Sequence, residues 1–210
     1  MLIYLHGKDK VSQFNNFRDI IDGYIKNGGH PIILVEPKDE TAPFWGKDFD
    51  YQKLLEIVNS KLEEENIQIQ HISVIGHSAA GCNTNGGIYK VVKEENLLHL
   101  VGLADACYNK KYANILTGEN IPFIINIHNK ETGGGWPQGS RNFEEFEKIL
   151  EIETVYTKCD KAYEYCYKNT NNRIISFQAN AKHNEIPEVL LKEALFPTHN
   201  LFKLFLPPNN

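Results

Sequence analysis

Short apolar segments rich in β-branched residues alternate along the chain with longer segments of helical periodicity. A short uninterrupted apolar run is typical of a strand buried on both faces, whereas apolar positions spaced by three and four residues are typical of an amphipathic helix. Runs of the first kind predict six strands: Leu2–Leu5, Ile32–Val35, Ile72–Ile75, Leu98–Leu103, Pro122–Ile127 and Arg173–Phe177.

The periodic segments between these strands predict helices. The clearest has Phe14, Phe17, Ile20, Ile21 and Tyr24 on one face, and the Asn-Gly-Gly sequence that follows is a helix stop. Further helices are predicted over about Tyr51–Glu65, after Ser78, near Lys110–Leu116, from about Asn142 and over Pro187–Leu195. The segment Thr154–Asn169 fits either a helix or a strand followed by a helix, and Phe196–Asn210 is predicted to be a packed tail.

Strands that alternate with helices predict a three-layer α/β/α sandwich with a mostly parallel sheet of about six strands. The 210 residues contain no internal repeat, low-complexity block or obvious linker, so a single domain is expected over residues 1–210. In such a sheet, ligands bind beyond the carboxyl ends of the strands. The residues that follow each strand are therefore the first candidates for a functional site.

Composition narrows the class of protein. Hydrophobic residues make up 41% of the chain and charged residues 23%, which is typical of a folded globular protein. The net charge of −5 and the lack of a long basic run argue against nucleic acid as a partner. No apolar stretch approaches the roughly 18 residues of a membrane span, and the chain opens on a predicted strand instead of a secretory signal, so a cytoplasmic location is expected.

The chain has four cysteines, and none of them forms a close CxxC pair. A metal site or a redox motif of that spacing is therefore not expected. Given the cytoplasmic location, the cysteines are predicted to be reduced and partly buried thiols.

The segment Gly76–Gly81 offers a candidate nucleophile. Ser78 follows a predicted strand and precedes a predicted helix, and the residues two before and two after it, Gly76 and Ala80, are small. A sharp strand-to-helix turn that exposes a serine hydroxyl requires small residues at these places because the turn is crowded. Glycine is the usual residue at the second place, and Ala80 departs from it modestly.

A serine hydroxyl needs a base, and the base needs an acid to orient it. His183 lies in the loop after the last predicted strand and is the candidate base. Asp105 follows the fourth strand, between two alanines, and is the candidate acid. Glu131, in the loop after the next strand, is the alternative acid.

A negative oxygen that develops during acyl transfer needs backbone N–H donors. Ala79, at the predicted helix start, and Gly7 or Lys8, in the loop after the first strand, are the candidates for this oxyanion hole. Four residues are candidates for lining a substrate pocket: His6, His77, Trp45 and Trp136. Each tryptophan is alternatively a loop anchor, and His77 is alternatively a packing residue at the turn.

The chain resembles the α/β-hydrolase superfamily in this set of residues: His6-Gly7 after a strand, the turn Gly76–Gly81, Asp105 at a later strand end and His183 after the last strand. The resemblance covers Leu2 to Leu195. It implies a compact member without the first antiparallel hairpin and without a large cap domain. Most members carry the acid one strand later, so the position of Asp105 matches a minority of them.

The resemblance implies hydrolysis of an ester, amide or related acyl compound through an acyl-serine intermediate, without metal or cofactor. The expected partner is a small acyl substrate. The alternative is a binding or scaffold protein that keeps the hydrolase fold without activity. A third hypothesis, a nucleotide-binding protein, is disfavoured because the chain has neither a GxxxxGK[ST] loop nor a GxGxxG motif.

Overall fold

A computed structural model of the chain describes residues 1–38, 45–46, 48–107, 115–116, 121–129, 163–168 and 174–196. The strands are β1 (Leu2–Leu5), β2 (Leu34–Val35), β3 (Ile72–His77), β4 (Leu98–Ala104), β5 (Phe123–Asn129), β6 (Tyr163–Lys168) and β7 (Ile174–Ala179). The helices are α1 (Phe14–Lys26), α2 (Tyr51–Glu64), α3 (Gly87–Glu94) and α4 (Ile186–Leu195), and Ser78–Gly81 and His183–Glu185 form short 3-10 turns.

The strands form one sheet in the order β2-β1-β3-β4-β5-β7-β6. Every neighbouring pair is parallel except β6 and β7, which are antiparallel at one edge. The predicted α/β class with a mostly parallel sheet is therefore confirmed. Each of the six predicted strands overlaps a strand of the sheet, although β2 is shorter than predicted, at Leu34–Val35. The seventh, β6, comes from the segment that the sequence left open between helix and strand.

Helices cover both faces of the sheet. Side chains of β1 alternate between the two faces, with Leu2 and Tyr4 in one buried cluster and Ile3 and Leu5 in the other. The first cluster is closed by α1 and α4, and the second by α2 and α3. Burial on both faces explains why the central strands read as continuous apolar runs.

The third helix begins later than predicted. The prediction placed it directly after Ser78, but residues Ser78–Gly81 form a 3-10 turn and α3 starts at Gly87. The intervening residues 82–86 contain two asparagines and one glycine, residues that disfavour a helix interior. The turn is therefore separated from the helix that packs behind it.

Several predicted elements fall wholly or partly outside the described residues. These are the helix near Lys110–Leu116, apart from Ile115 and Leu116, the helix from about Asn142, and the tail Phe196–Asn210 beyond Phe196. Of the helices that the structure describes, none has the length and apolar character needed to cross a membrane.

Gly76 sets how closely α3 approaches β3. An ideal Cβ on Gly76 would lie 2.0 Å from Cδ1 and 2.2 Å from Cγ1 of Ile88, a residue that is fully buried. A methyl group at position 76 therefore requires Ile88 to leave its packed position.

We expect Gly76→Ala to lower the free energy of unfolding by about 1–3 kcal/mol, because the extra methyl overpacks the core. Urea unfolding of the four members of a double-mutant cycle with Ile88→Ala measures this effect. In the Ile88→Ala background the same change should cost much less. An equal cost in both backgrounds would show that Ile88 is not the restricting contact.

Candidate active site

Ser78 lies where β3 ends and a 3-10 turn begins. Its φ is 49°, in the left-handed region that a non-glycine residue adopts at a cost of about 1–3 kcal/mol. A Cβ on Gly76 would lie 3.3 Å from Cβ of Ala80, so both flanks of the turn are crowded. This crowding is the physical reason for small residues at these two places.

Asp105 follows β4, the strand beside β3 in the sheet. Its φ is 45°, and its backbone N–H donates to the carbonyl oxygen of Ile127 at 2.6 Å. Its side chain is 9% exposed. Two residues later, the N–H of Cys107 donates to the carbonyl oxygen of Ser78 at 2.8 Å, which ties the two turns together.

His183 opens the short turn after β7. Its Nδ1 lies 2.5 Å from Oδ2 of Asp105, although 78 residues separate the two in the chain. Its carbonyl oxygen lies 3.0 Å from Nε2 of His77, and the carbonyl oxygen of the next residue, Asn184, accepts a bond from Nε2 of Gln13 at 3.1 Å. Two side chains from other elements thus hold the loop that carries His183.

The predicted base and acid are therefore in contact. Among the hydrogen bonds within the described part of the chain, none joins the Ser78 hydroxyl to His183. His77, the residue before Ser78, has its ring centroid 4.4 Å from that of His183, so the serine turn borders the Asp105–His183 pair.

Gly7 brings the backbone of the loop after β1 against Ser78. A Cβ on Gly7 would lie 2.9 Å from Cβ of Ser78, so a larger residue would collide with the serine side chain. Ala79 is buried beside it, whereas Lys8 is exposed. The prediction that Ala79 lies at a helix start needs correction, because Ala79 lies in a four-residue 3-10 turn and α3 begins only at Gly87.

Two buried histidines flank the pair. Burial, and secondarily a positive charge on His183, lowers the pKa of His77 to about 3. Burial lowers the pKa of His128 to about 4, opposed by the charge of Asp105. Nδ1 of each ring has no hydrogen-bond partner in the described part of the chain. No role was predicted for His128, whose only signal in the sequence is its place near the end of β5.

The tryptophan that the structure describes is a core residue. Trp45 is 1% exposed, donates from Nε1 to the carbonyl oxygen of His6 at 2.7 Å, and stacks near the His6 ring at 4.7 Å. This is the loop-anchor alternative, and it corrects the prediction that Trp45 lines a pocket. His6 and His77 are also buried. Trp136 and Glu131 lie outside the described residues.

An open groove between α1 and α4 is separate from these residues. Ile20, Val189 and Phe196 are among its lining residues, and it contains none of the predicted site residues. In the described ranges, no cluster of three or more histidine, cysteine or acidic residues is arranged to hold a metal ion.

Cys82 and Cys107 form a disulfide, so the expectation of reduced thiols is wrong for this pair. The two cysteines are 25 residues apart, so their spacing in the sequence does not indicate that they pair. They meet because β3 and β4 are neighbours and end at the same edge of the sheet. The bond joins the turn after Ser78 to the turn after Asp105.

In comparisons with known proteins, no family model matches this chain, and no curated protein matches it. The functional assignment therefore rests on the residues and geometry of the site.

The buried histidines predict that acid destabilises the fold. Both pKa values lie below 6.5, so the unfolded chain binds more protons than the folded chain as the pH falls from about 6.5 toward 4. Each histidine should lower the free energy of unfolding by up to about 1.4 kcal/mol per pH unit in this window.

Urea unfolding between pH 7 and pH 4.5 measures that slope. The variant His77→Gln should have a shallower slope than the wild type, whereas replacing the exposed His30 with Gln should leave it unchanged. A wild-type slope in His77→Gln would contradict the assignment of His77 as a buried neutral ring.

Proposed function

We propose that this chain is a serine hydrolase that acts on an ester or other acyl compound through Ser78, His183 and Asp105. The observation that carries the proposal is the 2.5 Å contact between His183 Nδ1 and Asp105 Oδ2 beside the strained turn of Ser78. A buried carboxylate is costly to desolvate without a partner, and an imidazole held at Nδ1 presents Nε2 as a base.

In this proposal the fold is a compact α/β-hydrolase without a large cap. The position of β1 next to β3 supports it, because the loop after β1 then borders Ser78. The neighbouring ends of β3 and β4 support Asp105 as the acid, since they bring it to the same edge as Ser78.

The reaction begins when the Ser78 hydroxyl turns toward His183. Nε2 of His183 takes its proton as Oγ attacks the acyl carbonyl, and Asp105 stabilises the resulting imidazolium. The backbone N–H groups of Ala79 and of Gly7 or Lys8 hold the negative oxygen. The imidazolium then protonates the leaving group, and an acyl-serine remains.

The second half of the reaction uses the same groups. His183 removes a proton from water, whose oxygen attacks the acyl-serine carbonyl. Collapse of this intermediate releases the acid and returns the proton to Ser78. The proposed steps use no metal or cofactor. The cytoplasmic location remains a prediction from the sequence.

A fluorophosphonate probe tests the proposal, because it reacts only with an activated serine. We expect the probe to attach to Ser78, as located by peptide mass spectrometry, and not to Ser78→Ala. Ser73→Ala, in the same strand, is the matched control and should label like the wild type. If the wild type does not label, the chain is better described as a binding or scaffold protein with this fold.

A turnover assay with an activated ester measures how much each side chain contributes to kcat. Ser78→Ala should reduce kcat on the order of 10⁶-fold, and Asp105→Asn about 10⁴-fold, as in other serine triads. Glu131→Gln should have a much smaller effect than Asp105→Asn. A larger loss for Glu131→Gln would move the role of the acid to Glu131.

A further inference from the structure

We propose that His77 is a positioning residue for His183, which it holds through a hydrogen bond to the backbone of the base itself. This inference rests on the proposed function, because it assigns a role relative to the catalytic base. His77 is not assigned any contact with substrate.

The hydrogen bond of His77 determines which nitrogen of its ring carries the proton. A carbonyl oxygen only accepts, so the 3.0 Å contact with the His183 oxygen requires the proton of His77 to be on Nε2. His77 is the last residue of β3 and pairs with Ala104 of β4, so its backbone is anchored in the sheet. A strand residue therefore fixes a loop residue 106 positions away.

The burial of His77 keeps it from competing with the base. With its pKa lowered to about 3, mainly by burial, the ring stays neutral while His183 accepts and returns a proton. A second positive ring with its centroid 4.4 Å away would oppose the imidazolium. The neutral ring instead packs against the base at an interplanar angle of 41°.

Loss of this bond leaves the base less well placed. The Gln13 bond to Asn184 and the bond from the Ile186 N–H to the His183 carbonyl remain, but that carbonyl loses its donor from the sheet and the loop can shift. Displacements of about 1 Å reduce catalysis by up to about 10²-fold. The effect should therefore appear in the chemical step more than in substrate binding.

The test compares His77→Leu with His77→Gln, using p-nitrophenyl acetate turnover and the rate of fluorophosphonate labelling. Leu removes the donor, whereas the Gln amide nitrogen lies near the place of Nε2 and retains it. We expect His77→Leu to lower kcat roughly 10- to 100-fold with little change in KM. His77→Gln should recover most of that loss.

His99→Leu and His99→Gln are the matched controls, since His99 is a partly buried histidine near the opposite end of β4. Neither should change turnover. If thermal melting shows that His77→Leu is unfolded, His77→Asn replaces it, because its shorter amide does not reach the carbonyl. Wild-type kcat in the donor-free variant, or equal losses with and without the donor, would overturn the assignment. Absence of labelling in the wild type would instead refute the proposed hydrolase.

A separate observation, the Cys82–Cys107 disulfide, leads to a second inference. The bond lies four residues after Ser78 and two after Asp105, with the two Cα atoms 4.9 Å apart. The backbone N–H of Cys107 also donates to the carbonyl oxygen of Ser78. The disulfide and this hydrogen bond together link the two turns. Both cysteines are partly exposed.

We infer that the redox state of this disulfide controls the reactivity of Ser78, given the proposed function. Ser78 and Asp105 both have left-handed backbone conformations, which persist only where surrounding structure fixes them. Opening the disulfide removes the covalent part of that restraint from both turns at once. The turns then relax, and the Ser78 hydroxyl is no longer placed where it can turn toward His183.

The reductant is a small thiol. Its thiolate attacks one sulfur of the disulfide and releases the other cysteine, and a mixed disulfide forms. A second thiol molecule attacks the mixed disulfide and leaves as the oxidised dimer of the reductant. Two electrons and two protons are transferred in total, and Cys82 and Cys107 end as thiols.

Labelling by the fluorophosphonate probe in oxidised and reduced glutathione buffers tests this control, with alkylation and mass spectrometry reporting the thiol state. We expect reduction to slow labelling of Ser78 several-fold and reoxidation to restore it. The double variant Cys82→Ser/Cys107→Ser should label slowly in both buffers. Cys166→Ser, on the edge strand β6, is the control and should respond like the wild type.

Equal labelling rates in the oxidised and reduced wild type would overturn the redox control. So would a double variant that labels as fast as the oxidised wild type. A wild type that labels in neither buffer would contradict the proposed hydrolase, which separates the two failures.

Discussion

The contact between His183 Nδ1 and Asp105 Oδ2 is the interaction on which the site depends. It joins the end of β4 to the loop after β7, so it forms only when the sheet is assembled in its observed order. A mostly buried carboxylate at this edge would be costly without such a partner. The pairing therefore gives Asp105 its stability and His183 its orientation in a single bond.

Steric limits around Ser78 complete the arrangement. Gly7 permits the loop after β1 to approach the serine, and Gly76 permits α3 to pack close behind the turn. A side chain at either glycine would occupy space that the site or the core already uses. Left-handed conformations at Ser78 and Asp105 show that both turns are held by their surroundings, and the disulfide beside them is part of that restraint.

Much of the fold could be predicted from the sequence because strands buried on both faces leave continuous apolar runs. Asp105 could be predicted to meet His183, with Glu131 as the alternative acid, because carboxyl ends of parallel strands meet at one edge. The start of α3 was missed because the helical prediction ignored the asparagines and glycines after Ser78. The antiparallel edge strand β6 could not be assigned uniquely, because the mixture of Tyr, Cys and Lys over Thr154–Asn169 fits either a helix or a strand followed by a helix.

Other parts of the site depend on contacts between residues that are far apart in the sequence, and sequence spacing does not reveal such contacts. Cys82 and Cys107 meet through neighbouring strands, so counting close cysteine pairs could not find them. Trp45 is a buried anchor because its indole bonds to the backbone of His6, a contact between separate segments. The lowered pKa values of His77 and His128 follow from burial and from neighbouring charges, which only the assembled sheet defines.

The most direct measurement of the central claim is a crystal structure of the chain after reaction with a fluorophosphonate. We expect phosphorus bonded to Oγ of Ser78, with the phosphoryl oxygen about 2.7–3.1 Å from the N–H of Ala79 and from that of Gly7 or Lys8. His183 should face the adduct while still bonded to Asp105. An adduct on another residue, or a His183 ring turned away with the Asp105 bond broken, would contradict it.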